Sequence, residues 1–542
     1  MSDTNRVRVS IARTSQRGGS GVAASPVNPA NFTPANQLFQ LRFTGTPGLG
    51  SQPNSVVSNE IRSDRQTADS ILVGTEAGGN VEFELSTLTF DEIIQATLTA
   101  SYKNTQRSTV ASIGAGTITL DADSGDTNSS GVLDGMVIRV RFPDNSPAID
   151  AMYYVASKAA DTLTVTPLRS TDPAIAGTET ITNAEVIVVG NRAEASSDIT
   201  VALDTPVAGQ TTITFANTSA TNWAAAYPDV AGTALTLPVI GTWIKLSQMT
   251  DAAQDVYARL IAVTSTTAVI ETPTGMTATV GPEGAEVYWG DIIRNPVLQA
   301  GTTPSNIGEF VPGSIPSNSF LVERRYEDHT PITRELILGN AINQFGLTFE
   351  PQSILTGTVE LFGFKSNVSD DESGSYADIY TSLPTDVETT DTDVLNTSTD
   401  VGYVSVTGQN LLSGDVSTAK NLPLQVQLNI GNQLRRRNAV GVFGAASIGA
   451  GRYNIGGNIN TYFDSKAILT LIVQNLDAEY VTSVSSNDGR GLLFDLPRIK
   501  FTSGSPDVPG GDQDAVLNPG FQALRSPTFG YTVHIQRWTF VR

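Results

Sequence analysis

The sequence predicts a mainly β protein: a duplicated framework of β-sandwich or barrel units, each with one short helix, interrupted by two tandem all-β modules. Three observations predict it. Apolar residues recur at every second position in several segments, as in Val81, Phe83 and Leu85 of NVEFELS, with Glu82 and Glu84 between them. Charged residues make up only 16% of the chain while glycines number 48, a balance that suits strands joined by turns. One block of strand patterns also recurs at constant spacing: Gly135 to Pro167 is 32 residues, and Gly241 to Pro273 is 32 again.

At 542 residues the chain is too long for one core, and about two to four domains are expected. Residues 1–35 are rich in Ser, Gly, Asn and Pro and carry Arg6, Arg8, Arg13 and Arg17 against Asp3. This composition predicts a flexible basic arm, either ordered by a neighbouring subunit or simply solvated. Residues 36–105 form the first framework unit, with strands leading into TFDEIIQATL. There Thr89 and Glu92 have capping-box spacing, and Ile93, Ile94 and Leu98 make an apolar side. Glu60-Ile61-Arg62-Ser63-Asp64 is echoed by Glu323-Arg324-Arg325-Tyr326-Glu327. Each is followed by a glycine, Gly74 or Gly339, by an alternating strand, and by an apolar pair, Ile93-Ile94 or Ile354-Leu355. The echo places a second framework unit at 295–365.

Between the units lies the cleaner repeat. GTITL pairs with TTITF, GMVIRV with GTWIKL, DTLTVTP with TAVIETP, and AEVIVVG with AEVYWG. Two β modules, at 106–194 and 195–294, are therefore predicted as self-contained barrels or sandwiches inserted into the framework. Residues 366–419, with ten acids and no base, predict an exposed acidic loop. Residues 420–542 return to strands. Leu424, Val426, Leu428 and Ile430 alternate with polar residues, and the last strand is expected to be tied into a sheet.

The net charge of −21 is unevenly placed. The inserted modules carry 20 acids and 9 bases, and 366–419 adds its ten acids, so the framework is nearly neutral. Phosphate neutralisation is a poor basis for function in such a chain. With no cysteine and only His329 and His534, thiolate chemistry, disulfides and His-rich metal cages are excluded, and no catalytic signature is present. Asp121, Asp123 and Asp126 of DADSGDTNSSG could suit a Ca²⁺ ion. The order of Gly125 and Asp126 departs from the EF-hand loop, and the paired module lacks the carboxylates, so a solvated turn is expected and no metal. Arg435, Arg436 and Arg437 form a basic run suited to a neighbour's carboxylates or to solvent. No cofactor and no membrane span are expected, and synthesis in a cytoplasm follows from the lack of an apolar leader.

The run SNEIRSDRQTADSILVGTEAGGNVEFELSTLTFDEIIQATL resembles the N-terminal region of tail tube proteins of long-tailed bacteriophages. The resemblance continues through FLVERRYED, ELILGNAINQFGLTFEPQSILTGTVELFGF and the closing DLPRIKF and GFQALRSPTFGYTVHIQRW. It covers about 35–105 and 310–542. It implies a structural virion protein, not an enzyme, that stacks as rings into a tube in the phage tail. Such a tube encloses a tape-measure protein, meets tail terminator and distal tail proteins, and passes genomic DNA without binding it specifically. The resemblance also implies a pseudo-sixfold wall. With the unit present twice per chain, three subunits would close a ring; six is the alternative. A β-repeat adhesin or tail-fibre-like binding protein is the other class compatible with these patterns.

Overall fold

The computed structural model describes residues 6–539, apart from 15–36, 101–106, 121–131, 142–150, 169–172, 177–184, 194–198, 218–226, 229–233, 236–239, 280–285, 299–308, 311–318, 371–384, 388–391, 412–420 and breaks of one to three residues. The protein is mainly β, with two helices among the described residues.

Two sets of strands are wired alike. The first comprises β1 (Val7–Thr14), β2 (Gln37–Gln40), β3 (Gly50–Val57), β4 (Ser70–Glu84), α1 (Asp91–Leu98), β5 (Ser319–Tyr326), β6 (Thr333–Phe349) and β7 (Thr356–Gly363). The second comprises β8 (Val401–Val406), β9 (Gln409–Asn410), β10 (Pro423–Gly431), β11 (Asn454–Tyr462), α2 (Ala467–Val473), β12 (Ala478–Ser485), β13 (Arg490–Phe501), β14 (Pro506–Asp507), β15 (Val516–Leu517) and β16 (Gly520–Ala523). In the first set β1 pairs with β2 and β5, β5 with β6, β6 with β7, β7 with β4, and β4 with β3. In the second, β8 pairs with β9 and β12, β12 with β13, β13 with β16, β16 with β11, and β11 with β10. The registers agree as well. Leu361 and Phe362 face Gly79 and Gly78, as Phe521 and Gln522 face Gly457 and Gly456. The bulge after Phe320 in β5 has its counterpart after Ala478 in β12.

The framework is thus duplicated, but not along the echo. Glu60–Asp64 falls in the connection between β3 and β4, whereas Glu323–Glu327 begins within β5 of the same set. Ile354 and Leu355 are not helical; they bond across to Asn396 and Leu395. The second helix instead follows β11, as α1 follows β4. The two charged runs sit in unlike environments, an exposed connection for the first and a strand with Glu323 buried against Arg334 for the second, so their likeness carries no shared structure. The real repeat rides on packed positions, Gly78-Gly79-Asn80-Val81 and Gly456-Gly457-Asn458-Ile459. An added Cβ at Gly79 would sit 2.0 Å from the Gly48 carbonyl oxygen, and one at Gly457 1.7 Å from that of Gln427. Close backbone approach leaves room for glycine alone.

The two sets share one wall. The second half of β6, Gln344–Phe349, pairs with Gly431–Val426 of β10. The ladder therefore runs β3, β4, β7, β6, β10, β11, β16, β13 without a break. One hydrophobic cluster lies under it, drawing Val81, Phe83, Ile93, Ile94 and Leu98 from the first set and Leu428, Ile430, Ile459, Ile468 and Phe494 from the second. α1 buries the apolar side predicted for it. Phe90 holds the N-cap position without a side-chain cap, and the Thr89 hydroxyl accepts a hydrogen bond from Ser86 at 2.8 Å.

The insertion builds two barrel-like modules. Arg107–Gly114, Thr117–Leu120, Thr162–Pro167, Met152–Ala159, Met136–Arg141 and Glu185–Ala193 pair in that order, and the last pairs back to the first. Ile199–Leu203, Gln210–Asn217, Thr267–Glu271, Tyr257–Val263, Trp243–Ser247 and Glu286–Arg294 follow the same order without the closing pair among the described residues. Gly135 and Gly241 precede equivalent strands at the same φ of 86°, a conformation that favours glycine. Each module has its own core.

Two expectations change. Within the predicted flexible arm, Val7–Thr14 is β1, paired along its length with β5, with Val9 and Ile11 buried. Its period-two pattern was masked by the polar residues around it. Within the predicted acidic loop, Lys365–Asp370 pairs with β6, and β8 and β9 belong to the second set, burying Leu395, Val404, Val406 and Leu411.

Candidate functional site

Strand alternation gives the wall a buried face and an outward one. The outward positions of β4, β7, β6, β10 and β11 include Asn80, Glu82, Glu84, Thr356, Thr358, Glu360, Gln344, Thr348, Gln425, Gln427, Asn429, Asn458 and Asn460. These carry three carboxylates and no Lys or Arg. Side-chain amides tie the rows together. Gln344 Nε2 donates to Asn429 Oδ1 at 3.3 Å, Gln425 Nε2 to Glu350 Oε1 at 2.6 Å, and Asn343 to Glu360. The surface is polar, hydrogen-bonded and without a fixed cation at these positions. It can meet water or a polyanion without holding either.

A second site lies behind the wall, where the insertion meets the framework. Arg259 Nη2 donates to Asp495 Oδ1 at 2.6 Å, and Nη1 donates to Glu479 at 2.7 Å and Glu271 at 3.0 Å. Trp243 Nε1 and the Tyr531 hydroxyl each donate to Asp495 Oδ2 at 3.0 Å. Arg259 also lies 4.9 Å from the Trp243 ring centre. Burial alone would lower the Arg259 pKa, but Asp495, Glu479 and Glu271 hold it well above the ordinary value. Burial pushes the Asp495 carboxyl up, against the pull of Arg259 and Trp243. The last strand, β17 (His534–Thr539), pairs with β13 on one side and with Glu286–Arg294 of the insertion on the other. On it, Gln536 exchanges two hydrogen bonds with the Trp243 backbone, and His534 Nδ1 accepts from Arg294 Nε at 3.0 Å. Burial and then Arg294 press the His534 pKa well below its usual value, so the ring is neutral. The modules predicted as self-contained thus share a buried charged joint with the framework. The sequence hint was a lone charge inside an apolar run, Arg259 in YARLIAV and Asp495 in LLFDL.

The candidate residues from the sequence are scattered. Arg8 pairs with Glu327 of its own chain at 3.4 Å, and Arg6 is exposed. Arg13 lies in β1 opposite Phe320; Arg17 lies outside the described residues. Arg435–Arg437 pairs with Ser447–Gly449 as a small hairpin with Arg435 and Arg437 exposed. Arg436 turns inward: Nη2 donates to the Ala77 carbonyl at 2.7 Å, and the guanidinium sits 4.3 Å from the Phe362 ring centre. Asp121, Asp123 and Asp126 lie outside the described residues, among which no His, Asp or Glu cluster suits a metal ion. Among the same residues no helix is long and apolar enough to cross a membrane.

Comparison with known families gives one finding. A family model described as phage tail tube protein matches residues 4–523. No curated protein matches the chain.

Proposed function

The chain belongs to the phage tail tube protein family, and from that premise we propose that it forms rings that stack into a hollow tube, with the polar face of the wall turned to the lumen. As a member it is a structural component of the virion tail. The observation that carries the proposal is the eight-strand wall, built from two alike halves, whose middle strands bear an outward face of Asn, Gln, Thr and Glu. No Lys or Arg stands at the outward positions named above, so DNA phosphate would pass those strands without the counterion-release attraction that holds it, while Arg436 over Phe362 and Arg498 and Lys500 of β13 are paired with Glu76 and Asp477. The same amide-rich face would line the tape-measure protein during assembly. The tube's ends would meet tail terminator and distal tail proteins.

Two wall halves per chain support three chains per ring with pseudo-sixfold symmetry. We place the division into units along the wiring: 7–98 with 319–363 as the first, 401–523 as the second, and 107–294 as an outer insertion. Arg6, Arg435 and Arg437 remain candidates for contact with a neighbouring subunit's carboxylates. Cryo-electron microscopy of the purified protein tests this reading. The expected cross-section shows three chains per ring, each supplying two similar wall segments to the lumen. Six chains with one segment each, or particles that never close, would refute it.

A further inference from the structure

We propose that a second copy of this chain adds to the open edge of the wall at Gly48–Gln52, using its own Thr502–Val508. The pairing follows the one that Val426–Gly431 keeps with Gln344–Phe349 inside a single chain, with one extra residue between Thr502 and Pro506. The inference rests on the self-assembly reading above and names the strands that carry it.

The internal duplication supplies a template for the seam. Gly50 lies opposite Gly78 as Asn429 lies opposite Gly456, so Gly48–Gln52 holds the place in the first half that Gln427–Gly431 holds in the second. On the other side, Leu347 faces Gly357, which faces Phe83. Pro506 faces Leu517, which faces Thr461, the counterpart of Phe83. The Thr502 amide donates to the Gly520 carbonyl at 2.8 Å, the place Gln344 holds opposite Glu360. Gln344–Phe349 and Val426–Gly431 meet across the chain's inner seam. Their counterparts, Thr502–Val508 and Gly48–Gln52, sit at the two ends of the same wall, with an unpaired edge each among the described residues.

Exposure agrees with an unfinished seam. At the inner seam Phe345, Leu347, Phe349, Val426, Leu428 and Ile430 are all buried. Val508, in the place of Phe349, is 71% exposed. The hairpin beyond the inner seam, Arg435–Arg437 with Ser447–Gly449, is laid across it by the Arg436 contacts to Ala77 and Phe362. Its counterpart in the first half is the tip of the β3–β4 hairpin. There Val56, Val57, Ile71, Leu72 and Val73 are half-exposed. An open strand edge beside an apolar hairpin is a template for pairing. A copy of the same chain offers the matching edge, and the contact is heterologous, so it repeats from chain to chain and closes a ring when the rotation between copies closes.

The chain has no cysteine, so introduced pairs report cleanly. Gln52→Cys with Thr502→Cys places the thiols at the proposed facing positions, both exposed in the single chain. Gly48→Cys with Asp507→Cys is an independent pair at the other end of the seam, one residue out of step because this strand carries one extra residue between Thr502, opposite Gly520, and Pro506, opposite Leu517. After assembly and mild oxidation, non-reducing electrophoresis is expected to show linked dimers and trimers, with no species above three chains and collapse to monomer on reduction. Gln52→Cys with Thr356→Cys, which the register keeps apart, is expected to remain monomeric. Gln344→Cys with Gly431→Cys should lose both thiols without change of mass. Rings seen by microscopy without a cross-link from either seam pair would overturn the inference and leave the ring reading standing. Cross-linked open chains without rings would support the seam and refute the ring. Failure to form any oligomer would overturn both.

Discussion

At the scale of single residues, the chain spends its unusual chemistry on structure. His534 is buried, neutral and bonded to Arg294, with Tyr531 and Gln536 beside it and Asp495 opposite it in register. Its folded pKa lies well below the unfolded value, so the unfolded chain binds a proton that the folded one refuses. Stability is therefore lost as pH falls below the ordinary His range. Between pH 7.5 and 5.0 the loss from this one ring is expected to be about 2 kcal/mol. Asp495, with its carboxyl pushed up, contributes in the opposite sense, gaining stability as pH falls. A comparison of wild type with His534→Gln isolates the His part. Urea unfolding at the two pH values should show the variant lacking that increment, and equal pH dependence in both proteins would contradict the assignment.

At the scale of elements, the close approaches of paired glycines set the wall. Gly457→Ala would drive a methyl group into the Gln427 carbonyl. It is expected to destabilise the protein by more than about 3 kcal/mol, beyond ordinary overpacking. Gly74→Ala, on the exposed end of β4 with nothing within 4 Å of the added carbon, should change stability by less than about 0.5 kcal/mol. Thermal unfolding of the two variants side by side checks the contrast. These glycines also show what was legible from sequence. Period-two alternation placed β4 and β10 and the inward residues Val81, Phe83, Val426 and Leu428, because one buried face writes itself into every second residue. The twin barrels were legible because their strands, spacings and positive-φ glycines repeat together. The true framework repeat was not read, because only GGN and a following helix survive in both halves and a long insertion separates their parts. β1 and β8 were hidden by polar neighbours. The outward Asn, Gln and Thr residues carried no motif at all; only the ladder brings them to one surface.

At the scale of the whole molecule, the insertion is docked and not merely appended. Excising 106–294 would remove Trp243 and Tyr288 from Val481 and Leu493 and uncover an apolar patch on the framework. The excised chain is expected to be poorly soluble. The same chain carrying Val481→Thr and Leu493→Gln should recover soluble yield, and equal yields from both would show that the joint does not hold the framework. The two halves belong to one chain and meet where β6 pairs with β10, which bears on how a ring comes together. If three chains make a ring of six wall segments, half of the boundaries arrive already closed, at the high effective concentration that a tether provides. Only three encounters in solution are then needed, and fewer partial arcs lie on the route. Tethering also frees the halves to diverge. With the barrels carried by one half alone, the outside of such a tube would be studded at every second segment, threefold outside around a nearly sixfold bore.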